Sequence, residues 1–175
     1  MVRRRFVSFL FFLTPIVASA SPAFCLASGQ DTVLYQPAVE RNFQDAMRLF
    51  QGHSYQTAFA IFERIVDQRE NTHRTSASYV MAAKSLYRLG EYQSSVALLR
   101  KFLDRFEKSE YVDDAVYTLG LDYYQLEQYK ESARSFLNAR QISGDTALAA
   151  RAEKMLGMAA STNLEIPELR EVLRD

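Results

Sequence analysis

Hydrophobic and polar residues follow one another along most of this chain with the spacing of amphipathic helices. Within residues 111–139, apolar side chains recur every three or four positions, first as far as Leu126 and again from Tyr129. Between these two stretches, Glu127 and Gln128 form a short polar corner. The pattern predicts two short helices folded back against each other. One such hairpin cannot bury its own apolar face, so it needs neighbours of the same kind.

The hairpin recurs along the chain with a period of 37 residues. Aligned positions keep one class of side chain, either small where two helices would approach closely or large and apolar between them. The aligned sets are Tyr55, Tyr92 and Tyr129; Ala58, Ser95 and Ser132; Phe62, Leu99 and Phe136; Ile65, Phe102 and Ala139; Ala46, Ala83, Gly120 and Gly157; and Leu49, Leu86 and Tyr123. A period of roughly 20 to 50 residues is typical of a stacked array. The sequence therefore predicts an all-α solenoid of antiparallel helix hairpins, with three full units and a partial fourth.

Turn residues divide the predicted units. The first unit starts near Val39, turns at residues 52–54 and resumes over residues 55–70, and the later helical stretches are residues 76–89, 92–106, the two halves of 111–139, 146–160 and 166–174. Gly90 stands where a helix end commonly needs a left-handed residue. Asp145 is predicted to cap the following helix, and Pro167 to lie at the start of the last one.

The repeat resembles the tetratricopeptide repeat, a helix–turn–helix unit of about 34 residues. The resemblance rests on a set of positions in the third unit and covers roughly residues 40–160; the positions are Leu119-Gly120, Tyr123-Tyr124, Tyr129, Ser132 and Phe136. Two features depart from the family pattern. Glu107 stands in place of the terminal proline, and Asn42, Tyr79 and Val116 replace the tryptophan of the first helix. The extra residues of each unit fall in the linkers.

The segment from Ser109 to Gly120 is similar to the variant of this repeat found in bacterial envelope proteins. Examples are the periplasmic Tol–Pal-associated coordinator and the lipoprotein of the outer-membrane barrel assembly machine. The resemblance implies a protein that holds partners within the cell envelope.

The start of the chain has the order of a secretory signal peptide: a basic head, an apolar run, then small residues. Arg3, Arg4 and Arg5 precede an apolar run of 13 residues that ends at Ala18. Cleavage is expected after Ala20 or Ala27. This gives a signal peptide over 1–27, an extended lead-in over 28–38 and the repeat domain over 39–175, exported to the periplasm of a Gram-negative type of envelope. The apolar run is shorter than the about 20 residues that a membrane-spanning helix needs. The alternative to a signal peptide is therefore an uncleaved helix that lies in the membrane interface.

Cys25 raises a second alternative, a lipoprotein cut just before a lipidated cysteine. Phe24 precedes it where that processing requires a small residue, so the sequence disfavours a lipid anchor. As the single cysteine of the chain, Cys25 cannot form an internal disulfide. Cleavage after Ala27 would remove it.

Charge and residue patterns disfavour nucleic-acid binding and catalysis. Without the three N-terminal arginines the chain keeps 18 basic and 21 acidic residues, a net charge of −3, and no basic stripe follows any helix. His53 and His73 lie in a predicted turn and linker without ligand spacing, so no metal site is predicted. Asp113 and Asp114 suit a helix start, and Asp122 has no catalytic partner in the pattern. We expect no catalytic residue, no cofactor and no enzymatic activity.

In the tetratricopeptide repeat family the first helices of successive units line a concave groove. The resemblance therefore implies a partner-binding groove faced by Phe43, Met47, Phe50, Val80, Lys84, Tyr87, Arg88, Asp114, Tyr117, Leu121 and Tyr124. Mixed aromatic, apolar and charged side chains suit a peptide or helix of another protein. Alternatively, several of them belong to the helix-packing core.

The expected function is a non-catalytic periplasmic scaffold that binds a peptide or helix of an envelope partner, with membrane contact only through the signal peptide or that partner. The alternative is the N-terminal helical part of a larger envelope protein carrying a periplasmic-binding-protein-like module, as in activators of peptidoglycan synthases.

Overall fold

The computed structural model describes residues 34–68 and 71–174, without the side chains of Thr162 and Asn163. These residues form α1 Pro37–Gln51, α2 Tyr55–Val66, α3 Thr75–Leu89, α4 Tyr92–Arg105, α5 Val112–Gln125, α6 Tyr129–Ile142, α7 Thr146–Asn163 and α8 Ile166–Val172. The predicted signal peptide and the first part of the lead-in lie outside the described residues. Over the described stretches, no helix is both long enough and apolar enough to cross a bilayer.

The helices pack in chain order as a stack of hairpins. Each helix from α1 to α6 contacts the helix that follows it, α3 also contacts α5, and α5 also contacts α7. The odd-numbered helices of the later units therefore lie side by side. This arrangement confirms the predicted all-α solenoid of helix hairpins.

The repeated positions form the core of the stack. Phe62, Leu99 and Phe136 are fully buried. Two serines at one repeat position make equivalent hydrogen bonds across their hairpins. The Ser95 hydroxyl shares its single hydrogen between the carbonyl of Ala83 at 3.1 Å and Asp122 Oδ2 at 2.6 Å, and the Ser132 hydroxyl donates to the carbonyl of Gly120 at 2.8 Å. The period thus fixes hydrogen bonds as well as apolar packing.

Gly120 lies at a close helix crossing, as the sequence predicts. A Cβ atom there would lie 2.6 Å from the ring of Phe136 on α6. Gly157, at the same repeat position in the fourth unit, departs from the prediction, since it is exposed and a Cβ atom there would meet no atom within 4 Å. The reason is the short α8. Its contacts are with α6, and its buried Val172 packs near Ala133 and Ala159 instead of covering Gly157.

The turn inside each hairpin repeats a left-handed backbone position. His53, Gly90 and Glu127 are spaced by the repeat period and have φ of 63°, 81° and 59°. The predicted left-handed glycine at the end of α3 is confirmed. In the other two units, His53 and Glu127 adopt the same conformation, which is unfavourable for residues that have a Cβ atom. The turn geometry is therefore the same in all three units, although the residue type at this position differs.

The helix ends follow the predicted caps with small differences. Asp145 accepts a hydrogen bond from the backbone N–H of Ala147 at 2.8 Å, and α8 carries Pro167 in its first turn. Helix α2 ends at Val66, short of the predicted Glu70. In the linker before α3, Thr72 pairs with Leu34 of the lead-in in an isolated β-bridge.

A polar cluster joins the first helix to the linker before α3. The guanidinium of Arg74 donates to both carboxylate oxygens of Glu40, at 2.7 and 2.8 Å, and lies 4.6 Å from the centre of the Phe43 ring. His73 Nε2 lies 2.8 Å from the same carboxylate. His73 is therefore half-buried against α1.

Candidate functional site

A concave pocket lies where α1, α3, α5 and α7 meet. Its volume is about 220 Å³. We call this surface the groove; its lining residues are Phe50, Lys84, Tyr87, Arg88, Asp114, Tyr117, Thr118, Leu121 and Arg151. Because each of the four helices is the first helix of its unit, the groove is built by the repeat itself.

Most of the predicted groove residues meet at this pocket. The structure brings together Phe50, Lys84, Tyr87, Arg88, Asp114, Tyr117 and Leu121. Thr118 and Arg151 also line it and were not predicted. Arg151 follows Asp114 by one repeat period, so extending the register into the fourth unit would have found it. Whether these residues bind a partner stays a prediction.

Two predicted groove residues lie in the core instead. Phe43 is 6% exposed and packs edge-on against Phe62, with ring centres 5.6 Å apart, and Val80 is 2% exposed in the cluster that contains Leu99. Both occupy the repeat position that faces the second helix of their own hairpin. Tyr117 holds this position in the third unit and also packs on its hairpin partner, but its longer side chain reaches the pocket.

Met47 and Tyr124 are half-buried but do not line the pocket. Met47 packs against the core of the first unit. Tyr124 contacts the ring of Tyr129 at the start of α6, with ring centres 5.5 Å apart. The repeat frame had placed both on the groove face, and the packing of each hairpin draws them away from its centre.

Aromatic pairs fix the groove rings at the end of each first helix. Phe50 pairs with Tyr55 at 5.2 Å between ring centres, and Tyr87 pairs with Tyr92 at 5.6 Å. The Tyr124 pair is the third of this series. Burial raises the pKa of Tyr87 above its usual value of 10.0. The phenol is protonated at neutral pH, as for any tyrosine, and can donate a hydrogen bond.

Basic groups outnumber acidic ones along the groove. Lys84 Nζ forms an ion pair of 3.0 Å with Asp114 Oδ2, joining α3 to α5. The Arg151 guanidinium lies 5.6 Å from the centre of the Tyr117 ring and donates to its own helix. Arg88 is exposed and forms no ion pair with a described residue. Two guanidinium groups therefore remain without a carboxylate partner among the described residues.

The acidic residues singled out by sequence have structural surroundings. Asp113 accepts a hydrogen bond from the hydroxyl of Ser143 at 2.7 Å and from the backbone N–H of Asp114 at 2.7 Å. Asp122 is fully buried and accepts a hydrogen bond from Ser95 at 2.6 Å. Within residues 34–68 and 71–174, no group of three His, Cys, Asp or Glu side chains has the arrangement of a metal site.

The size and lining of the groove suit one anchoring side chain with polar contacts around it. A volume of about 220 Å³ is below the roughly 300–1,000 Å³ of sites that enclose a small-molecule ligand. Tyrosine and arginine are among the residue types that carry most binding energy at protein interfaces. The geometry therefore favours recognition of a peptide over enclosure of a cofactor.

Solved structures with the same fold include structures of PcrH and of a T3SS complex. PcrH from Pseudomonas aeruginosa matches with a TM-score of 0.65 at 17% identity, covering 73% of this chain and 96% of that chain. PcrH in complex with the chaperone binding region of PopD matches with a TM-score of 0.62 at 17% identity, covering 71% and 92%. A T3SS complex from Aeromonas hydrophila matches with a TM-score of 0.60 at 15% identity, covering 70% and 80%. At these identities the likeness shows the fold alone.

Sequence comparisons identify the repeat class. A search of curated proteins gives no significant match. The family model described as "Anaphase-promoting complex, cyclosome, subunit 3" matches residues 51–139, about half of the chain. The likeness to envelope members of the repeat class stays a prediction. The matched residues run from the end of α1 into α6, and they show that the chain belongs to this family of TPR-like repeats.

Proposed function

We propose that this chain is a non-catalytic scaffold that binds a peptide or helix of a partner protein in the groove. The observation that carries the proposal is the convergence of first helices from successive repeats on one pocket with aromatic, apolar and charged walls. A protein of the same fold, PcrH, has been solved in complex with the chaperone binding region of PopD. That complex supports peptide binding as a use of this fold.

In the proposed complex, an apolar side chain of the partner enters the pocket between the rings of Tyr87 and Tyr117 and contacts Leu121. Arg88 and Arg151 then offer N–H groups to carboxylates or carbonyl oxygens of the bound segment. The Lys84–Asp114 ion pair holds α3 against α5, so the walls keep their spacing. A preorganised site of this kind loses little free energy to ordering on binding.

The proposed location is the periplasm. The support is the order of basic, apolar and small residues at the start of the chain, which is typical of a signal peptide. Export would place the groove among envelope proteins. The alternative role, as the N-terminal part of a larger envelope protein with a second module, stays a hypothesis that the reading frame beyond Asp175 would test.

A pull-down from envelope extract tests the proposed binding. The groove variant carries Tyr87→Ala and Leu121→Ala. The matched control carries Tyr35→Ala and Leu89→Ala, which remove the same side-chain types from exposed positions outside the groove. Partners captured by the parent should be identified by mass spectrometry and should bind the control equally well.

The groove variant should lose those partners and remain folded, because hot-spot truncation costs about 2 kcal/mol or more of binding. Circular dichroism on the same preparations checks folding. Equal capture by the folded groove variant and the parent would refute the groove as the binding site.

A further inference from the structure

A second cleft lies between α2 and α4, away from the groove. Its volume is about 530 Å³. We call it the outer cleft; its lining residues are Gln56, Phe59, Glu63, Val66, Asp67, Tyr79, Leu86, Glu91, Ser94, Ala97, Leu98 and Lys101. None of them lines the groove, so the two surfaces can be occupied and tested separately.

The floor of the outer cleft is apolar. Phe59 and Leu98 are only half-buried and lie on the edge of the first-unit core, and Ala97 is exposed. Beneath them, Val66 and Leu86 each retain 8% of their surface. Such a floor gives an apolar side chain a place to bury surface from water.

The rim of the outer cleft is acidic. Glu63 and Asp67 lie one turn apart, at the end of α2, and Glu91 stands at the start of α4. Lys101 is the single basic residue among those lining the cleft. Within the described part of the chain, none of the three carboxylates forms an ion pair, so their charge is free to attract a ligand.

Neither arginine of α4 pairs with a carboxylate of this rim, since Arg105 donates to Asn71 Oδ1 and to the hydroxyl of Tyr79. Arg100 donates a hydrogen bond to the hydroxyl of Tyr123 on α5 at 2.8 Å, and its guanidinium lies 6.0 Å from the centre of that ring. The guanidinium of Arg100 therefore lies on the side of α4 that faces the third unit. The outer cleft keeps an excess of negative charge over an apolar floor, which is the reverse of the groove.

We infer that the outer cleft binds a basic peptide segment of a partner protein. An apolar side chain of the segment lies on Phe59 and Leu98, and flanking Lys or Arg residues contact Glu63, Asp67 and Glu91. Charge complementarity selects this occupant, because a polyanion such as nucleic acid would be repelled by the rim. The chain would then hold two partners of opposite charge on two surfaces.

Fluorescence anisotropy with two labelled peptides tests the inference on the purified chain. The first probe is an amphipathic peptide of Lys and Leu; the second has Glu at every Lys position. The cleft variant carries Glu63→Gln and Asp67→Asn, which remove two charges and keep side-chain size. The matched control carries Glu127→Gln and Glu131→Gln, two exposed positions at the turn before α6 and in its first turn.

The Lys probe should bind the parent, the control and the groove variant with similar affinity. Its dissociation constant should rise about tenfold in the cleft variant, because rim charges that contact the ligand are lost. Equal binding of the Glu probe, unchanged affinity in the cleft variant, or no binding of the Lys probe would each overturn the inference. So would a dimer in sedimentation that the cleft variant abolishes, since the occupant would then be a second copy.

Discussion

Asp122 should make this fold less stable as the pH rises. Its side chain is fully buried in α5, where Oδ2 accepts a hydrogen bond from the Ser95 hydroxyl at 2.6 Å. Oδ1 has no hydrogen-bond partner among the described residues. Burial raises the pKa of Asp122 from 3.8 to about 7, and the hydrogen bond from Ser95 offsets only part of that effect. The folded chain therefore keeps the Asp122 proton to near neutral pH.

The sign and size of the effect follow from the two pKa values. Below pH 3.8 the carboxyl is protonated in both states, and its ionisation costs no stability. As the pH rises toward 7, the unfolded chain releases the proton and the folded chain holds it, so the free energy of unfolding falls. One pKa unit corresponds to about 1.4 kcal/mol, which sets an upper limit of about 4 kcal/mol by pH 8.

Asp122→Asn removes the ionisation and keeps a similar shape. The variant should be as stable as the parent near pH 4 and more stable, by up to about 4 kcal/mol, at pH 8. Urea unfolding followed by circular dichroism at several pH values measures this difference. Asp114→Asn is the control, because Asp114 lies on the same helix but is half-exposed and paired with Lys84. It should not reproduce the gain at high pH.

Two outcomes would refute the reasoning. If the difference between parent and Asp122→Asn did not change with pH, the carboxyl would titrate alike in both states. If the variant were less stable than the parent at pH 8, the ionised carboxylate would have partners that its buried position does not show.

Three further predictions concern packing, acid stability and export. Gly120→Leu should lower the free energy of unfolding by about 1–3 kcal/mol, because the side chain would overlap an aromatic ring of α6. Gly157→Leu, at the equivalent but open position, should not lower it. Equal melting temperatures for the parent and Gly120→Leu would contradict a close helix crossing at Gly120. Hydrogen bonds, the strongest from Arg74, hold the pKa of Glu40 well below its usual value of 4.5. The parent should therefore lose stability as the pH falls below about 4.5, and Glu40→Gln should lose less. Melting curves measured over a series of pH values test this difference. N-terminal sequencing should find the exported chain cut after Ala20 or Ala27, and a mature chain that begins at Met1 would contradict the signal peptide.

The positions of the core residues could be predicted from the sequence because these residues recur with the repeat period. Each unit must place a large residue at the position of Phe62, Leu99 and Phe136, and all three are fully buried. The left-handed turn at Gly90 follows from the same register. These features depend on the hairpin and its immediate neighbour, so the spacing of residue types was sufficient.

The burial of individual helix positions could not be predicted in this way. A polar residue such as Asp122 in a helical pattern suggests a surface position, yet Ser95 of the preceding unit approaches it and water is excluded. Phe43 and Val80 share a face with groove residues in the repeat frame, but the second helices of their hairpins cover them. The pattern indicates the direction of a side chain on its helix, whereas burial depends on what lies opposite.

The same distinction separates the shape of the groove from its chemistry. One repeat position is occupied by Ala77, Asp114 and Arg151 in successive units, so a small buried residue, a carboxylate and a guanidinium share one place in the frame. Asp114 joins α5 to α3 through Lys84, whereas Arg151 lies over the ring of Tyr117. Positions that pack must keep their size class for the stack to form. Positions that face the groove are released from that constraint, and in the proposed complex their differences between units would set which partner is recognised.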